Sequence, residues 1–382
     1  MAVYLDYNAS APINSEVLEE MIHVYKYNYG NADSRTHDFG EQARTVTENA
    51  RHQLADLLGV KADEVFFTSG STESNNIAIL GLREYAEKTN KKHIITTAME
   101  HHSVLNTVNY LEKNGFTADY VKPCKDGRVN AEELLSLVRE DTLLVSVMHV
   151  SNETGMVQPV KEIGKELEKR NVLFHVDATQ SCGKLVEEIK ALKYDMLSLS
   201  AHKFQGPQGI GALILRRKKY KLPPVKNIMF GGQQEHGLRP GTTPVALVAG
   251  LGKASEIALH NYKENHSHSA DIKRVLIDEL NSSGVHFKFN GDQNYCSVNT
   301  VNLQFEGVSS EALMISTKQF CGVSNGSACT SKDYSPSYVL KAMGLTDDEA
   351  YNSVRISWGP DTDLESVRSN FHELLQVVKS FQ

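Results

Sequence analysis

The tightest limit on the fold comes from rhythm, because short apolar runs alternate with segments of helical period. Val65-Phe66-Phe67-Thr68 precedes a helical pattern from Thr72 to about Lys88, and His93 to Thr96 precedes another from His101 to about Asn114. Thr142 to Met148, Val172 to Val176 and Met196 to Leu199 continue the series, with Glu/Lys-rich helical stretches between several of them. Strand-helix-strand repetition predicts an α/β fold with a mostly parallel central sheet covered on both faces. In such sheets ligands lie beyond the carboxyl ends of the strands, so the residues just after each run are where chemistry is expected.

After about residue 255 the rhythm changes. A long polar helical stretch, Ser255 to Leu280, leads to a strand at Ser297 to Phe305, a helix from Ser310 and a last helix from Leu364 to Ser380. This predicts a large domain over 15–255 and a smaller α+β domain over 256–382, with residues 1–14 packed beside the latter. With 382 residues, two domains fit the usual domain size. His260, His266 and His268 are read as a solvated helix face rather than a metal site.

The 40 basic and 47 acidic residues leave a net charge of −7, which argues against a broad nucleic-acid-binding face. The basic run Arg216 to Lys221 is read as a solvated turn after a strand. No stretch approaches the roughly 18 apolar residues of a membrane span. The start, MAVYLDYNASAP, lacks the basic and apolar regions of a signal peptide. The five cysteines are too few and too irregularly spaced for a zinc site or disulfide framework. Together these features predict a reduced, cytoplasmic protein.

Four segments carry candidate chemistry. Thr68-Ser69-Gly70-Ser71-Thr72 lies between a strand and a helix, where backbone N–H groups with the Ser71 and Thr72 hydroxyls suit a phosphate. An ordinary helix N-cap is the other reading. Asp177 ends the run Leu173 to Val176; it is either a partly buried ligand-edge carboxylate or a helix cap. Lys203 follows the run Met196 to Ser200, with Ser200 and His202 beside it and the Gly206-Pro207-Gln208-Gly209 turn after it. A desolvated Lys there is a usable amine nucleophile, whereas a snorkelling Lys is the plainer reading. The fourth, Ser324 to Ser331, is a Gly/Ser-rich stretch with one cysteine, Cys329, which reads as an exposed, reactive thiol or as a small hydrophobe in a turn. In combination, cradle, strand-end Asp177 and strand-end Lys203 describe a pyridoxal 5'-phosphate site.

These motifs resemble the fold-type I enzymes of the class V aminotransferase family. The stretch around Cys329 resembles the active-site loop of group I, NifS/IscS-type cysteine desulfurases. The likeness runs from Tyr4-Leu5-Asp6-Tyr7 through Val354-Arg355-Ile356-Ser357. It implies Lys203 as the cofactor-bearing lysine, Asp177 as partner of the pyridine nitrogen, and His101 stacked on the ring. Asn152 and Gln180 lie at the phenolic oxygen in the family, and Arg355 matches the arginine that holds the substrate α-carboxylate. Thr242 matches a threonine that reaches the phosphate of the other subunit, which implies a homodimer. The implied activity takes L-cysteine to L-alanine, with the sulfur passing to Cys329 and then to an acceptor protein. An aminotransferase or β-lyase releasing sulfide or selenide, and a sulfur-delivery subunit of a modification complex, are the alternatives. A metal bound by Glu100, His101 and His102 is the weaker reading of that cluster, since a strand-to-helix junction offers poor ligand geometry.

Gln208, Gln233, His236 and Pro360 depart from the usual family residues, and Gln233 and His236 adjoin the implied intersubunit segment. The end at Gln382 leads us to expect no long tail for docking an iron–sulfur scaffold. Asn31 to His37 and Leu238 to Thr242 look more like the desulfurases of DNA phosphorothioation systems. Direct nucleic-acid or membrane contact is not expected. The remaining cysteines, Cys124, Cys182, Cys296 and Cys321, are expected to be bystanders.

Overall fold

The computed structural model describes residues 2–326 and 335–382. Its strands are β1 (Val3–Tyr4), β2 (Val65–Thr68), β3 (His93–Thr97), β4 (Thr117–Val121), β5 (Thr142–Met148), β6 (Leu173–Asp177), β7 (Met196–Ser200), β8 (Gly211–Leu215), β9 (Phe287–Phe289), β10 (Thr300–Phe305), β11 (Cys321–Gly322) and β12 (Ser353–Ser357). Seven form one sheet in the order β2-β8-β7-β6-β5-β3-β4. Strands β4, β3, β5, β6 and β7 pair in parallel, and β8 runs antiparallel to both β7 and β2. The expected α/β fold with a mostly parallel sheet is therefore present. Because β2 and β7 both oppose β8, β2 points the same way as the parallel set. Thr68, Thr97, Met148, Asp177 and Ser200 thus end their strands along one edge.

Alternating residues explain why these runs are apolar throughout. Phe66, Ile94, Leu144, Met196 and Leu213 pack into the layer on one face. Their neighbours Phe67, Ile95, Val145, Leu197 and Ile214 pack into the layer on the other. A sheet buried on both sides needs apolar residues at every position. Each fully buried Leu, Ile or Phe contributes about 1.5–3 kcal/mol.

The helix expected from Thr72 to about Lys88 is two helices, Ser71–Leu80 and Arg83–Thr89. Gly81 separates them. A Cβ there would lie 2.5 Å from the Lys226 carbonyl oxygen, and the Lys226 N–H donates to the Gly81 carbonyl at 2.8 Å. A segment distant in sequence crosses at this point, which helical periodicity does not reveal.

The division drawn between residues 255 and 256 falls inside one helix, Val245–Ser283. Val248, Leu251, Ala254 and Ala258 join the main-sheet layer, whereas Ile272, Val275, Leu276 and Leu280 join a second core with Trp358, Phe305 and Phe371. The helix starts well before Ser255 because Val245 to Ala254 is apolar nearly all round and shows no amphipathic period. Strands β12-β10-β9 form an antiparallel sheet over the second core, and β1 pairs in parallel with β11. Val3 and Leu5 lie in that core. Among the described residues no helix is long and apolar enough to cross a membrane.

Candidate active site

A cavity of about 370 Å³ opens at the carboxyl edge of the main sheet. Ser71, Thr72, His101, Asn152, Asp177, Gln180, His202, Lys203 and Arg355 all line it, so nine of the expected site residues converge although they span most of the chain. Asp177, the last residue of β6, is 5% exposed. Its Oδ2 accepts from Asn75 Nδ2 at 2.8 Å and its Oδ1 from the Thr179 N–H at 3.0 Å. Lys203 ends the short helical turn after β7, and its Nζ donates to the carbonyls of Asn8 and Ala9, each at 2.7 Å. Burial, then the Lys203 charge, pushes the His202 imidazole down to about 4, so that ring is neutral at physiological pH.

The cradle depends on a close backbone approach. Gly211 on β8 pairs with Thr68 on one side and with Ser200 on the other. A Cβ at Gly211 would lie 2.7 Å from Gly70 Cα, so only glycine lets the Ser69-Gly70 turn close over the end of β7. The first turn of Ser71–Leu80, with its unpaired N–H groups and hydroxyls, then lies at the cavity beside Ser200. Ser200 itself is buried.

His101 caps the helix His102–Glu112. Its Nδ1 accepts the Ser103 N–H at 3.1 Å, so Ser103 Oγ, 2.9 Å away, also donates to it. This network assigns the ring proton to Nε2. Ser103 Oγ accepts in turn from Asn75 Nδ2 at 2.9 Å, and Asn75 joins His101 to Asp177. Burial lowers the His101 pKa against the pull of Asp177, with His102 and Lys203 adding to the fall. Glu100 beside it does not face the cavity. Its Oε1 accepts from Thr97 Oγ1 at 2.7 Å and from the Met148 N–H at 2.9 Å, while Oε2 has no hydrogen-bond partner.

Burial pushes the Glu100 carboxyl up to about 8 from an ordinary 4.5, despite its two donors. Between those values the unfolded chain has released a proton that the folded chain keeps, so this group costs stability increasingly as pH rises. Glu100→Gln keeps the acceptor and removes the titration. Its Tm relative to the parent should therefore rise between about pH 5 and about pH 8, by about 1–3 °C. Calorimetry at the two pH values checks this, and an advantage that shrinks toward pH 8 refutes it.

Arg355 on β12 reaches the cavity from the second core. It is 3% exposed, donates from NH1 to the Asn152 carbonyl at 2.9 Å, and pairs through NH2 with Asp6 at 2.6 Å. Its Nε and the Oδ1 of Asn152 are buried without hydrogen-bond partners. Gln180 Nε2 donates to the Asn8 carbonyl at 2.9 Å, and Lys184 Nζ donates to Gln180 Oε1 at 3.4 Å. Burial, then the charge of Lys203, pushes Lys184 down to about 7. Sequence reasoning missed Asp6, Asn8, Asn75 and Lys184. Only Lys184 left a local signal, its place four residues after Gln180.

Of the three other expected site residues, Ser200 lies beside the cradle without lining the cavity. Thr242 is exposed on the single chain, although Arg239 nearby pairs with Glu73 of the cradle helix at 3.0 Å. Cys329 lies outside the described residues; Gly326, three positions before it, lines the cavity. Cys182 and Cys321 are buried, which pushes each thiol up to about 12; Cys296 is half-buried and Cys124 exposed. None of these four lines the cavity. In the basic run, Arg216, Arg217 and Lys218 pair with Glu64, Asp63 and Asp195. His260 and His266 are exposed, and His268 shares a hydrogen bond with the Thr362 carbonyl. No group of metal-ligating residues occurs among the described residues.

The family model for aminotransferase class-V matches residues 3–369. The cysteine desulfurase IscS of Pseudoalteromonas translucida is 40% identical over 369 residues, covering 96% of this chain and 90% of that protein. A solved NifS-like protein superposes with a TM-score of 0.90 at 36% identity, with both chains covered in full. The structure of SspA in complex with cysteine gives 0.82 at 35% identity, covering 94% of this chain and 99% of that one. The chain belongs to the class V aminotransferase family. Within it, the chain is a homologue of the IscS- and NifS-type cysteine desulfurases. Pyridoxal-phosphate-dependent desulfuration of cysteine, mobilising its sulfur, is the activity it shares with them.

Proposed function

We propose that this cavity converts L-cysteine to L-alanine while Cys329 takes up the sulfur. The observation that carries the reading is the convergence of an amine, a buried carboxylate, a hydroxyl-lined helix start and a guanidinium on one cavity. The cavity also fits pyridoxal phosphate: the Oδ1 of Asn152 is buried without a partner, and the close Gly211–Gly70 approach, which a Cβ would block, brings the Ser71-Thr72 helix start to the cavity.

When bound, the cofactor supplies an electron sink for the pair left as the substrate Cα loses its proton. Ser71, Thr72, Ser200, His202 and the N–H groups of the cradle hold its phosphate. Thr242 completes the phosphate site of a second copy in a homodimer. Asp177, fixed by Asn75 and Thr179, keeps a proton on the ring nitrogen. His101 would pack against the cofactor and handle the substrate thiol proton, and Asn152 and Gln180 would be its polar neighbours. Lys203 would anchor the cofactor, and its Nζ would move the substrate Cα proton. Arg355 orients the substrate α-carboxylate. Cys329 attacks the substrate sulfur as a thiolate, and L-cysteine plus the thiol become L-alanine plus a persulfide. An acceptor protein then collects the sulfur in a reducing cytoplasm, for iron–sulfur assembly or for DNA or tRNA modification. Neither nucleic acid nor membrane is contacted directly in this reading.

Holoenzyme given L-cysteine should form alanine and add one sulfur atom to the peptide that contains Cys329, as read by mass spectrometry. Absence of alanine overturns the reading. Proteins that co-purify with the chain separate an iron–sulfur scaffold from a DNA-modification partner as acceptor. For Arg355, a point-charge replacement tests the orienting role. Arg355→Lys should raise KM for L-cysteine at least about tenfold while changing kcat less, because the planar fork pairs with a carboxylate at two points. An unchanged KM assigns carboxylate binding elsewhere.

A further inference from the structure

Next to Asn152 lies a carboxyl that the scheme above does not use. Glu153 is 1% exposed, and its Oε2 accepts a hydrogen bond from Ser337 Oγ. The Ser337 hydroxyl accepts the Leu340 N–H at 3.1 Å and so caps the helix Tyr338–Ala342. On the other side, Gly326 has φ 89°, and a Cβ built there would lie 2.8 Å from Glu153 Oε2. The carboxyl is therefore wedged between Gly326, three residues before Cys329, and Ser337, eight residues after it. Gly326 also lines the main cavity.

The backbone of Glu153 is fixed as well. Its carbonyl accepts from Asn302 Nδ2 at 3.0 Å, and Asn302 stands opposite Arg355 in the β10–β12 register. Asn152, the preceding residue, gives its carbonyl to Arg355 at 2.9 Å. One short stretch thus bonds the guanidinium and Ser337 and packs against Gly326. Among the described residues Glu153 makes no ion pair within 4.0 Å. Burial raises its pKa, with Ser337 and Arg355 opposing the rise. A carboxyl so buried costs folding free energy, so stability does not explain its presence, whereas the Ser337 bond and the close approach of Gly326 do.

We propose that Glu153 is a positioning residue for sulfur transfer: by packing against Gly326 at the cavity and bonding Ser337 beyond the segment, it sets where Cys329 meets the substrate sulfur. The inference rests on Cys329 being the sulfur acceptor. Misplacement of a reacting group by about 1 Å can cost about 100-fold in rate. In the holoenzyme, Glu153→Ala should slow single-turnover persulfide formation on Cys329 by about 10–100-fold. The cofactor absorbance and the apparent Kd for L-cysteine should stay within about twofold of the parent. Glu153→Gln, which still accepts from Ser337 Oγ, should recover most of the rate. In a Cys329→Ala background, Glu153→Ala should not lower the residual alanine formation further, as expected of two residues acting on one step.

A parental persulfide rate in Glu153→Ala overturns the inference, as does a loss accounted for by weakened cofactor or substrate binding. An additive effect in the Cys329→Ala background also overturns it. Failure of the underlying reading looks different, because there Cys329→Ala alone leaves persulfide transfer intact.

Discussion

Replacing Lys203 with alanine should reduce alanine formation from L-cysteine by at least about 10³-fold and leave the cofactor without a covalent anchor. Among the described residues, Lys203 is the only lysine lining the main cavity; Lys184 lines a separate cavity of about 50 Å³ that Lys203 also borders. Asp177, His101, Ser71 and Thr72 remain in the variant, so cofactor should still bind without covalent attachment. Borohydride reduction followed by denaturing chromatography separates the two states. The parent should keep the cofactor on the polypeptide and the variant should lose it. Lys203→Arg retains a cation but lacks a nucleophilic amine, and it should be as inactive as the alanine variant. Cofactor retention after reduction in either variant, or alanine formation within tenfold of the parent, assigns the amine elsewhere. The Ala9 carbonyl loses the Lys203 donor in Lys203→Ala, at a cost of about 1–3 kcal/mol, while the Asn8 carbonyl keeps its bond from Gln180. That cost is small beside the two cores, so loss of activity should occur in folded protein, which the Tm verifies.

The sequence showed the main sheet clearly because two-sided burial forces continuous apolar runs, and such runs end in small or polar residues where ligands bind. Asp177, Lys203 and the Ser71-Thr72 turn were legible for that reason. Each follows its strand directly and needs no distant partner to be noticed. Asp6, Asn8 and Asn75 were not, because their roles are defined by contacts across the fold. Asp6 meets Arg355, Asn8 meets Lys203 and Gln180, and Asn75 meets Asp177. The same physics hid the break at Gly81, which a crossing segment imposes, and the early start of Val245–Ser283, whose first turns are buried nearly all round. Glu153 also reads locally as an ordinary polar residue in Asn152-Glu153-Thr154-Gly155. Only the approach of Gly326 and Ser337 distinguishes it.

Cys329→Ser should abolish persulfide transfer to any acceptor, with persulfide formation falling at least about 10³-fold. The four described cysteines cannot substitute from their observed positions, since none lines the cavity and Cys182 and Cys321 have thiols pushed up to about 12 by burial. A serine of nearly the same size keeps the shape of the segment but can neither form a persulfide nor supply a thiolate at neutral pH. L-Cysteine should still bind, because Arg355, Asn152 and the cofactor site are untouched. Stopped-flow absorbance should therefore show the same substrate-induced change in variant and parent, and only the sulfur-transfer step should disappear. The two rivals give separate signatures. A β-lyase would release free sulfide in Cys329→Ser at the parental rate. A sulfur-delivery subunit without turnover of its own would yield no alanine even as the parent protein. Persulfide transfer that survives Cys329→Ser would sink the assignment, because a different nucleophile would then be collecting the sulfur.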